Sequence, residues 1–361
     1  MAALIRKIGL IIVLSAVAGF VVGSSLARSS PLPENSLWRY VHPNSKALVG
    51  AQWSKIQKSE LGRWLQRRWI NNLDIPGTEF LKDVDEVLIS SPGLKDGAGE
   101  DEDPALLIAI HGSFNLTRVR LVLARQGARM QNFDGIPVYR LKGKTESDPA
   151  FALLNSQTIL VGDPQSLFST IERSKLVQNT DESGPFTARA QAMAARYDCW
   201  ALAGENGSIH NFLLSALVGK ALSPESQGFE AGISVRDGLL VDVIMKVPSE
   251  RAAKLLQNNL ARLIRIAGTP MGAKNNDFVN LIPKFRVRSD KESVSLSLRM
   301  SDSEIAAALH ANSDRFVAQT AAVPGEAERR TATLPRSAPP AKSVIRIEGL
   351  DEGPRELPFK P

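Results

Sequence analysis

The sequence predicts an α+β protein: an N-terminal transmembrane helix followed by two similar halves, each an antiparallel sheet with helices on one face. Three observations lead to this prediction. An uncharged, apolar run extends from Ile8 to Ala27. In the body, strand-like alternation and helix-like periodicity follow one another in the same order twice. From about Asp314 onward the chain becomes rich in proline, alanine and mixed charge.

Composition sets the outer limits. With 361 residues, of which 43% are hydrophobic and 23% charged, the chain can bury the cores of two ordinary domains and is not disordered throughout. The formal net charge of +6 suits a protein close to anionic lipid, and it would also suit a weak nucleic-acid binder. The single cysteine excludes an intramolecular disulfide framework.

Residues 1–30 are predicted to form a signal-anchor or transmembrane segment. Arg6 and Lys7 precede the apolar run, which at residues 8–27 has about the length needed to cross a bilayer. A cleaved signal peptide is the alternative, because the sequence SLA ending at Ala27 is an acceptable cleavage site. In the favoured interpretation the chain stays anchored in the inner membrane, with a cytoplasmic N-terminus and a periplasmic or extracytoplasmic body.

One face of the apolar segment carries small residues. Ser15, Gly19 and Gly23 are four residues apart, and small residues at this spacing let two transmembrane helices approach closely. They are therefore a candidate transmembrane dimer face, and a homodimer or another protein partner is expected. The alternative is that small residues are simply common in signal segments.

The first half of the body is predicted to cover residues 34–175. In chain order it reads strand, helix, two strands, helix, two strands and helix. Asp163 and Pro164 mark the start of the last helix, because an aspartate cap followed by proline is a common helix start. The predicted strands are 46–53, 85–91, 105–111, 136–142 with 151–156, and 157–162, and the predicted helices are 54–72, 113–126 and 163–174.

The second half is predicted to cover residues 185–312. It begins with an added helix and then repeats the order of the first half. Asp237 and Gly238 form a strong hairpin signal between two strands. The predicted strands are 199–204, 229–235, 239–247, 284–290 and 293–300, and the predicted helices are 186–196, 208–222, 249–266 and one that begins after Ser301.

The matched order of eight elements predicts an internal duplication, although the two halves share no convincing residue identity. The first six elements of each half also follow the split βαβ order of ferredoxin-like folds. Two sheets built in this way would leave a groove between the halves.

Residues 313–361 are predicted to be a disordered, proline-rich tail, because they cannot bury enough apolar surface to become ordered. The sequence SVIRIEGL, residues 343–350, is the one stretch there that alternates like a strand. It would suit pairing with a sheet edge, either in this chain or in a partner.

The search for a catalytic site gives no candidate. The glycine-rich nucleotide motifs, the metalloprotease motif and the nucleophile elbow are all missing from the sequence. No catalytic, cofactor-binding or metal-binding residues, and no cofactor, are therefore predicted. His111, at a strand end, could bind an anion or act as a base, or it is a polar residue at an element boundary. Cys199 is predicted to be an inert, buried thiol.

The predicted helix 54–72 carries an apolar stripe beside basic residues. Tryptophan with arginine suits a membrane interface, whereas core packing of the tryptophans is the favoured alternative. Nucleic acid is not expected as a partner of an exported domain. The stripe consists of Leu61, Trp64, Leu65 and Trp69, and the candidate membrane-contact residues are Trp64, Arg67, Arg68 and Trp69.

The stretch YVHPNSKALVGAQWSKIQKSELGRWLQ resembles the start of uncharacterised bacterial membrane-anchored envelope proteins. The matching features are Pro43, the strand from Ala47 to Trp53, and Ser59 with Leu61. The resemblance covers the N-terminal half of the body only. It implies a membrane-anchored extracytoplasmic domain and assigns no site residues.

Two functions follow from these patterns. The favoured one is a membrane-anchored, extracytoplasmic binding or scaffolding protein. The alternative is an envelope enzyme, hydrolase-like, with a site between the two halves, which would require several ionisable residues to converge in one pocket.

Overall fold

A single antiparallel sheet of 12 strands forms the body of this α+β protein. The structure is a computed structural model, and it describes residues 37–68, 78–93, 105–141, 149–176, 184–204, 227–267, 282–308, 344–347 and 355–358. Among these residues no helix is long and apolar enough to cross a membrane. The predicted anchor, its dimer face at Ser15, Gly19 and Gly23, and the predicted helix 208–222 lie outside the described residues.

The strands of the sheet are short to medium in length, and each pairs antiparallel with its neighbours. The strands are β1 Ala47–Ala51, β2 Val84–Gly93, β3 Ala105–Gly112, β4 Arg129–Phe133, β5 Ile136–Arg140, β6 Ala150–Leu153, β7 Thr158–Gly162, β8 Cys199–Ala203, β9 Gly228–Ser234, β10 Leu239–Lys246, β11 Arg286–Asp290 and β12 Ser293–Met300. Their order in the sheet is β11-β12-β10-β9-β8-β1-β2-β3-β7-β6-β5-β4.

Seven α-helices are described, together with 3-10 turns at Leu37–Tyr40, Thr78–Asp83 and Ile282–Lys284. The helices are α1 Trp53–Lys58, α2 Glu60–Arg68, α3 Leu116–Arg125, α4 Pro164–Leu176, α5 Pro185–Arg196, α6 Glu250–Ala267 and α7, residues 302–308.

Capping side chains set several helix starts. Asp163 Oδ1 accepts from the backbone N–H of Ser166 at 3.0 Å, which confirms the predicted cap of α4. The predicted helix 113–126 begins later in the structure: the side chain of Asn115 accepts from the N–H of Arg118 at 3.0 Å and caps α3, which starts at Leu116. The predicted helix 54–72 is broken, because Ser59 adopts an extended conformation between α1 and α2 and its hydroxyl caps Gly62.

The N-terminal and C-terminal halves place their strands in the same order outward from the centre of the sheet. The N-terminal half, β1 to β7, contains the order β1-β2-β3-β7-β6, extended by β5 and β4. The C-terminal half, β8 to β12, has the order β8-β9-β10-β12-β11. In each half the first strand in the chain lies at the centre of the sheet. The outermost strand, β4 in one half and β11 in the other, follows a helix in the chain.

Two separate sheets were predicted, but the halves share one. β1 and β8 pair antiparallel, with Val49 opposite Ala201 at the centre of the register. The hydrogen bonds that flank the pair are also matched, since Gln52 N–H donates to the carbonyl of Asp198 at 2.6 Å and Gly204 N–H donates to that of Lys46 at 2.9 Å. Pairing in this way removes two exposed strand edges.

The ferredoxin-like arrangement is not formed by the first six elements of a half. It would require β10 to lie between β8 and β9, whereas β8 pairs directly with β9. A split βαβ unit does occur one step later, where α6 connects the parallel strands β10 and β11 and β12 lies between them.

We define the apolar face of the sheet as the face that includes Val49. The residues that lie opposite one another in the row through Val49 are apolar in all 12 strands. From β11 to β4 the register gives the row Val287, Leu296, Val243, Ala231, Ala201, Val49, Ile89, Ile108, Val161, Phe151, Tyr139 and Met130.

α6 packs on the apolar face, where the Ser289 hydroxyl donates to Gln257 at 2.7 Å. α3 connects β3 to β4, which run parallel, as α6 connects β10 to β11. β3 and β10 run in opposite directions, and the connections that follow them lead to opposite edges of the sheet. Since connections between parallel strands are right-handed, α3 and α6 lie on the same face of the sheet. The Phe114 ring just before α3 agrees with this placement, since it lies against Gly112 on that face.

The mixed face is the opposite side of the sheet, which includes Gly50 and Trp200. α4 packs there, since its Phe168 stacks on Phe133 with ring centroids 4.1 Å apart. α5 also packs there, where its Arg189 pairs with Glu230. Helices thus cover both faces, which corrects the prediction of helices on one face only.

The chain divides into a unit that ends at Asn312 and a second that begins at Ser313. In the second unit β13, Val344–Ile347, pairs antiparallel with β14, Arg355–Pro358. The strand-like residues 343–350 therefore include a strand that pairs within the tail.

Candidate binding surface

On the mixed face, the two halves place different residues in matching positions. Gly50 follows Val49 as Leu202 follows Ala201, so the rows that continue outward from Gly50 and from Leu202 are in matching positions. The row from Gly50 in the N-terminal half is apolar and buried, whereas the row from Leu202 in the C-terminal half contains charged and polar residues. The first row is Leu88, Ala109, Leu160 and Ala152, and the second is Glu230, Ile244, Ser295 and Arg288.

We name this second region the polar patch. It also includes the next row of the C-terminal half, which continues from Trp200, and Lys246 of β10, which lies opposite Gly228 and Ser293. Most of its side chains are accessible to solvent. The carboxylates of Glu230 and Asp242, which pair with Arg189 and Arg196, are largely covered. The polar patch consists of Glu230, Asp242, Ile244, Lys246, Arg286, Arg288, Ser295 and Ser297.

A tryptophan pair borders the polar patch at the centre of the sheet. The Trp200 ring lies over Gly50, where an added Cβ would come within 2.5 Å of the ring. Trp38 stacks on Trp200, with ring centroids 5.7 Å apart and planes 6° apart. Glycine is therefore required on β1, because the indole occupies the space of a side chain.

Tyr197 lies over Gly232 in a similar way. Its hydroxyl donates to Asp242 Oδ2 at 2.9 Å, and Arg196 binds the same carboxylate oxygen at 3.2 Å. Burial raises the pKa of Tyr197, and the negative charge of Asp242 raises it further. The tyrosine therefore stays protonated and holds the carboxylate in a fixed position.

A shallow depression opens between α5 and the polar patch. It has a volume of about 200 Å³, and its lining includes Phe186, Arg189, Glu230, Ile244 and Lys246. This volume is below the roughly 300–1,000 Å³ of pockets that enclose a drug-sized ligand. The region is therefore better suited to contact with a surface than to enclosure of a small molecule.

The outer strands of the patch have a strict alternation of side chains. On β12, Ser295 and Ser297 face the mixed side while Val294 and Leu298 are buried on the apolar side. On β11, Arg286 and Arg288 are exposed on either side of Val287. The patch is thus built from short hydroxyls that leave room for a partner, bordered by arginines that can bind carboxylates.

Asp198 fixes the chain where the C-terminal half begins. Its buried carboxylate accepts from the Ser234 hydroxyl at 2.9 Å, the Val235 N–H at 2.8 Å and Arg236 Nε at 2.8 Å. Arg236 is itself largely covered. Because these three hydrogen bonds come from the last residue of β9 and from the connection to β10, Asp198 holds this turn in place.

His111 lies opposite Glu86 on neighbouring strands of the N-terminal half. Burial raises the pKa of Glu86, and the nearby charges of His111 and Lys55 oppose that shift. His111 Nδ1 is buried and has no hydrogen-bond partner among the residues that the structure describes. A carboxyl–imidazole pair of this kind can exchange a proton, but it lies within one half and not between the halves.

The other predicted residues have the following outcomes. Cys199 is buried, which confirms that part of its prediction, and burial raises the pKa of its thiol to about 12; its predicted lack of reactivity stays a prediction. Leu61 is buried. The side chains of Trp64, Arg67 and Arg68, and all of Trp69, lie outside the described residues, so their assignment to core or membrane stays a prediction.

The polar patch was not predicted, although the sequence contains a signal for it. In SVSLSLRM every second residue is polar or charged, which is typical of a strand with one solvent-facing side.

Among the described residues, no three histidine, cysteine, aspartate or glutamate side chains are grouped so that they could hold a metal ion. No protein-family model, curated protein or solved structure matches this chain.

Proposed function

We propose that this chain is a membrane-anchored, extracytoplasmic binding or scaffolding protein, and that the polar patch is where it contacts a protein partner. The observation that carries the proposal is the replacement of a buried apolar row by Glu230, Ile244, Ser295 and Arg288 at the matching positions. A sheet needs only one apolar face to pack, so a second face that is polar and held in place by ion pairs is available for recognition.

The resulting surface has the chemistry of a protein interface. Arginine and aromatic residues are enriched at such interfaces, and here Arg189 and Arg196 lie beside Phe186 and Tyr197 on α5 and its C-terminal end. Both arginines are paired with carboxylates, which pre-organises their guanidinium groups. Pre-organisation reduces the side-chain entropy that is lost when a partner binds.

An internal duplication, with halves at residues 34–175 and 185–312, is part of the proposal. Its support is the shared strand order and the pairing of β1 with β8 around Val49 and Ala201. In this account one half keeps the ancestral apolar packing on the mixed face, and the other has acquired a binding surface.

The membrane anchor rests on residues 8–27 and is tested by mass spectrometry of the mature protein in a bacterial host. We expect an intact N-terminus and recovery in the membrane fraction after alkaline washing. An N-terminus at Arg28 would show that the segment is a cleaved signal.

The polar patch is tested by photo-crosslinking in the full chain. A photoreactive amino acid replaces Ser295, and a matched control carries it at Leu121 on the opposite face of the sheet. We expect a discrete adduct from Ser295 that Arg286→Glu with Arg288→Glu abolishes and that Arg120→Glu leaves unchanged. Adducts that are equal at both positions, or that persist after the charge reversal, would refute the proposal.

An envelope enzyme, hydrolase-like, is the second candidate, and the pair Glu86–His111 is the observation that favours it. Its test is hydrolysis of simple ester and phosphoester substrates by the purified chain. An activity that His111→Gln removes and Ser295→Ala leaves unchanged would favour this candidate over the binding protein.

A further inference from the structure

The helix layer on the apolar face of the sheet exposes an unusual combination of residues. Six large hydrophobic residues are exposed among those that the structure describes, and five belong to this layer or to β4 beside it. These five are Leu121 at 50% exposure, Met130 at 61%, Leu255 at 62%, Leu263 at 39% and Ile266 at 52%.

The same two helices carry a large excess of positive charge. α3 contains three arginines and no acidic residue, and α6 contains three arginines and one lysine against the single carboxylate of Glu250. Glu250 pairs with Lys254. Within the described part of the chain, five exposed arginines of these two helices have no ion-pair partner; they are Arg120, Arg125, Arg251, Arg262 and Arg265.

On α6 the exposed apolar and basic residues lie side by side. At 100° per residue, Leu255, Arg262 and Ile266 fall within a narrow arc, which lies about 120° around the helix from the buried residues Leu256 and Leu260. With 18 residues, the helix extends for about 27 Å. α3 lies on the same face of the sheet, so both helices present their outer sides in the same direction.

The helices of the mixed face lack this combination. Among the side chains that the structure describes, neither α4 nor α5 carries an exposed large hydrophobic residue. Their cations are also engaged: Arg173 donates to the carbonyl of Val41 at 3.0 Å, Lys175 pairs with Asp134, and the two arginines of α5 pair with carboxylates. The basic and apolar surface is therefore specific to one side of the body.

We propose that α3 and α6 form a membrane-contact surface that binds anionic phospholipid headgroups, with Leu121 and Leu255 inserted at the level of the headgroups. An amphipathic surface with arginines beside leucines is attracted to anionic lipid by charge and is held there by apolar burial. This proposal uses the anchored location proposed above. It also assigns an orientation to the body, with the polar patch directed away from the bilayer.

The test uses the full chain with a single reporter on each face. Cys199 does not compete for thiol reagents, because it is buried and its thiol has a pKa of about 12. The variants Leu255→Cys, Leu121→Cys and, as control, Ser295→Cys are labelled with an environment-sensitive fluorophore. They are reconstituted into phosphatidylcholine vesicles with or without phosphatidylglycerol, and quenching by brominated lipid is measured.

We expect lipid quenching at Leu255→Cys and Leu121→Cys in vesicles that contain phosphatidylglycerol, and none at Ser295→Cys. Each reversal among Arg120→Glu, Arg262→Glu and Arg265→Glu should weaken the contact by about fivefold. The matched reversals Arg286→Glu and Arg288→Glu should leave it unchanged. Added salt should release the contact, because it screens surface charge.

Three results would overturn the proposal. The first is quenching at Leu255→Cys that does not exceed that at Ser295→Cys. The second is equal quenching without phosphatidylglycerol, which would remove the role of the anionic headgroup. The third is a fluorophore at Leu255→Cys that becomes shielded from solvent in detergent, without lipid vesicles, as the protein concentration rises. That result would mean that a second copy of the chain covers this surface. Flotation of the unlabelled chain reports separately on the anchor, so failure of one proposal is distinguishable from failure of the other.

Discussion

On the mixed face of the sheet, Leu88 and Leu160 in the N-terminal half occupy the positions that Glu230 and Ser295 occupy in the C-terminal half. On the apolar face the two halves do not differ, since Ile89 and Val161 match Ala231 and Leu296. The comparison shows that one face is sufficient to hold the strands in register, whereas the other can change its character completely. In the N-terminal half α4 packs on the mixed face through the stacked rings of Phe168 and Phe133, whereas in the C-terminal half α5 meets this face through the ion pair of Arg189 with Glu230.

Asp198 gives the comparison its sharpest test. It directly precedes β8, as Lys46 directly precedes β1. Asp198→Ala removes three hydrogen bonds and leaves Arg236 partly buried without its partner, so we expect a loss of about 3–5 kcal/mol in the free energy of unfolding. Lys46→Ala, at an exposed side chain, should change it by less than about 0.5 kcal/mol. Denaturant unfolding measures both, and equal losses would contradict the asymmetry.

The second prediction concerns the core of the mixed face. Leu160 is fully buried, so Leu160→Ala should lower the free energy of unfolding by about 2–5 kcal/mol through lost burial and a new cavity. Ser295 occupies the matching position, and among the described residues its hydroxyl makes one long contact, with the carbonyl of Arg288 at 3.5 Å. Ser295→Ala should therefore have an effect of less than about 0.5 kcal/mol. A Ser295→Ala variant as damaged as Leu160→Ala would show that the polar patch is part of the core.

Much of this fold could be predicted from the sequence, because most strands and helices have a clear period. β12 alternates strictly, α6 has a broad apolar side, and Asp163 with Pro164 marks a helix start. β4 was not predicted, because its sequence RMQNF has exposed, polar residues and no apolar alternation. It is an edge strand that needs only β5 as a neighbour.

The pairing of the two halves could not be predicted. The sequences ALVGA and CWALA are short, and nearly every position in them is buried. Such strands carry no alternation that indicates a partner or a register. The contact that selects the register is the Trp200 ring over Gly50, and the sequence does not indicate that a tryptophan and a glycine 150 residues apart lie opposite each other.

The third prediction tests the two glycines that lie under aromatic rings. Gly50→Ala and Gly232→Ala each place a methyl group in space occupied by the rings of Trp200 and Tyr197. Overpacking of this kind lowers the free energy of unfolding by about 1–3 kcal/mol. In the double variant Gly232→Ala with Tyr197→Ala, the loss should be smaller than the sum of the two single losses. An additive result in denaturant unfolding would mean that the ring does not contact Gly232.

The smallest expected effect concerns the helices that follow β7 and β12. α4 begins after Asp163, whereas α7 begins after Ser301, whose hydroxyl and N–H both contact Glu304. The hydrogen bond from Lys284 and those from Ser301 lower the pKa of Glu304 to about 2. A lowered pKa means that the folded state favours the charged carboxylate, so Glu304 stabilises the fold at neutral pH. This stabilisation is lost as the pH falls from the usual value of 4.5 through about 2.

Glu304→Gln should therefore be less stable than the wild type at neutral pH, and the difference should vanish as the pH approaches 2. Lys284→Ala removes the largest cause of the shift, so in that background Glu304→Gln should have a smaller effect. Urea unfolding over this pH range measures both. A difference that does not depend on pH would mean that the charge of Glu304 has no role, and that α7, unlike α4 with its aspartate cap, begins without help from a carboxylate.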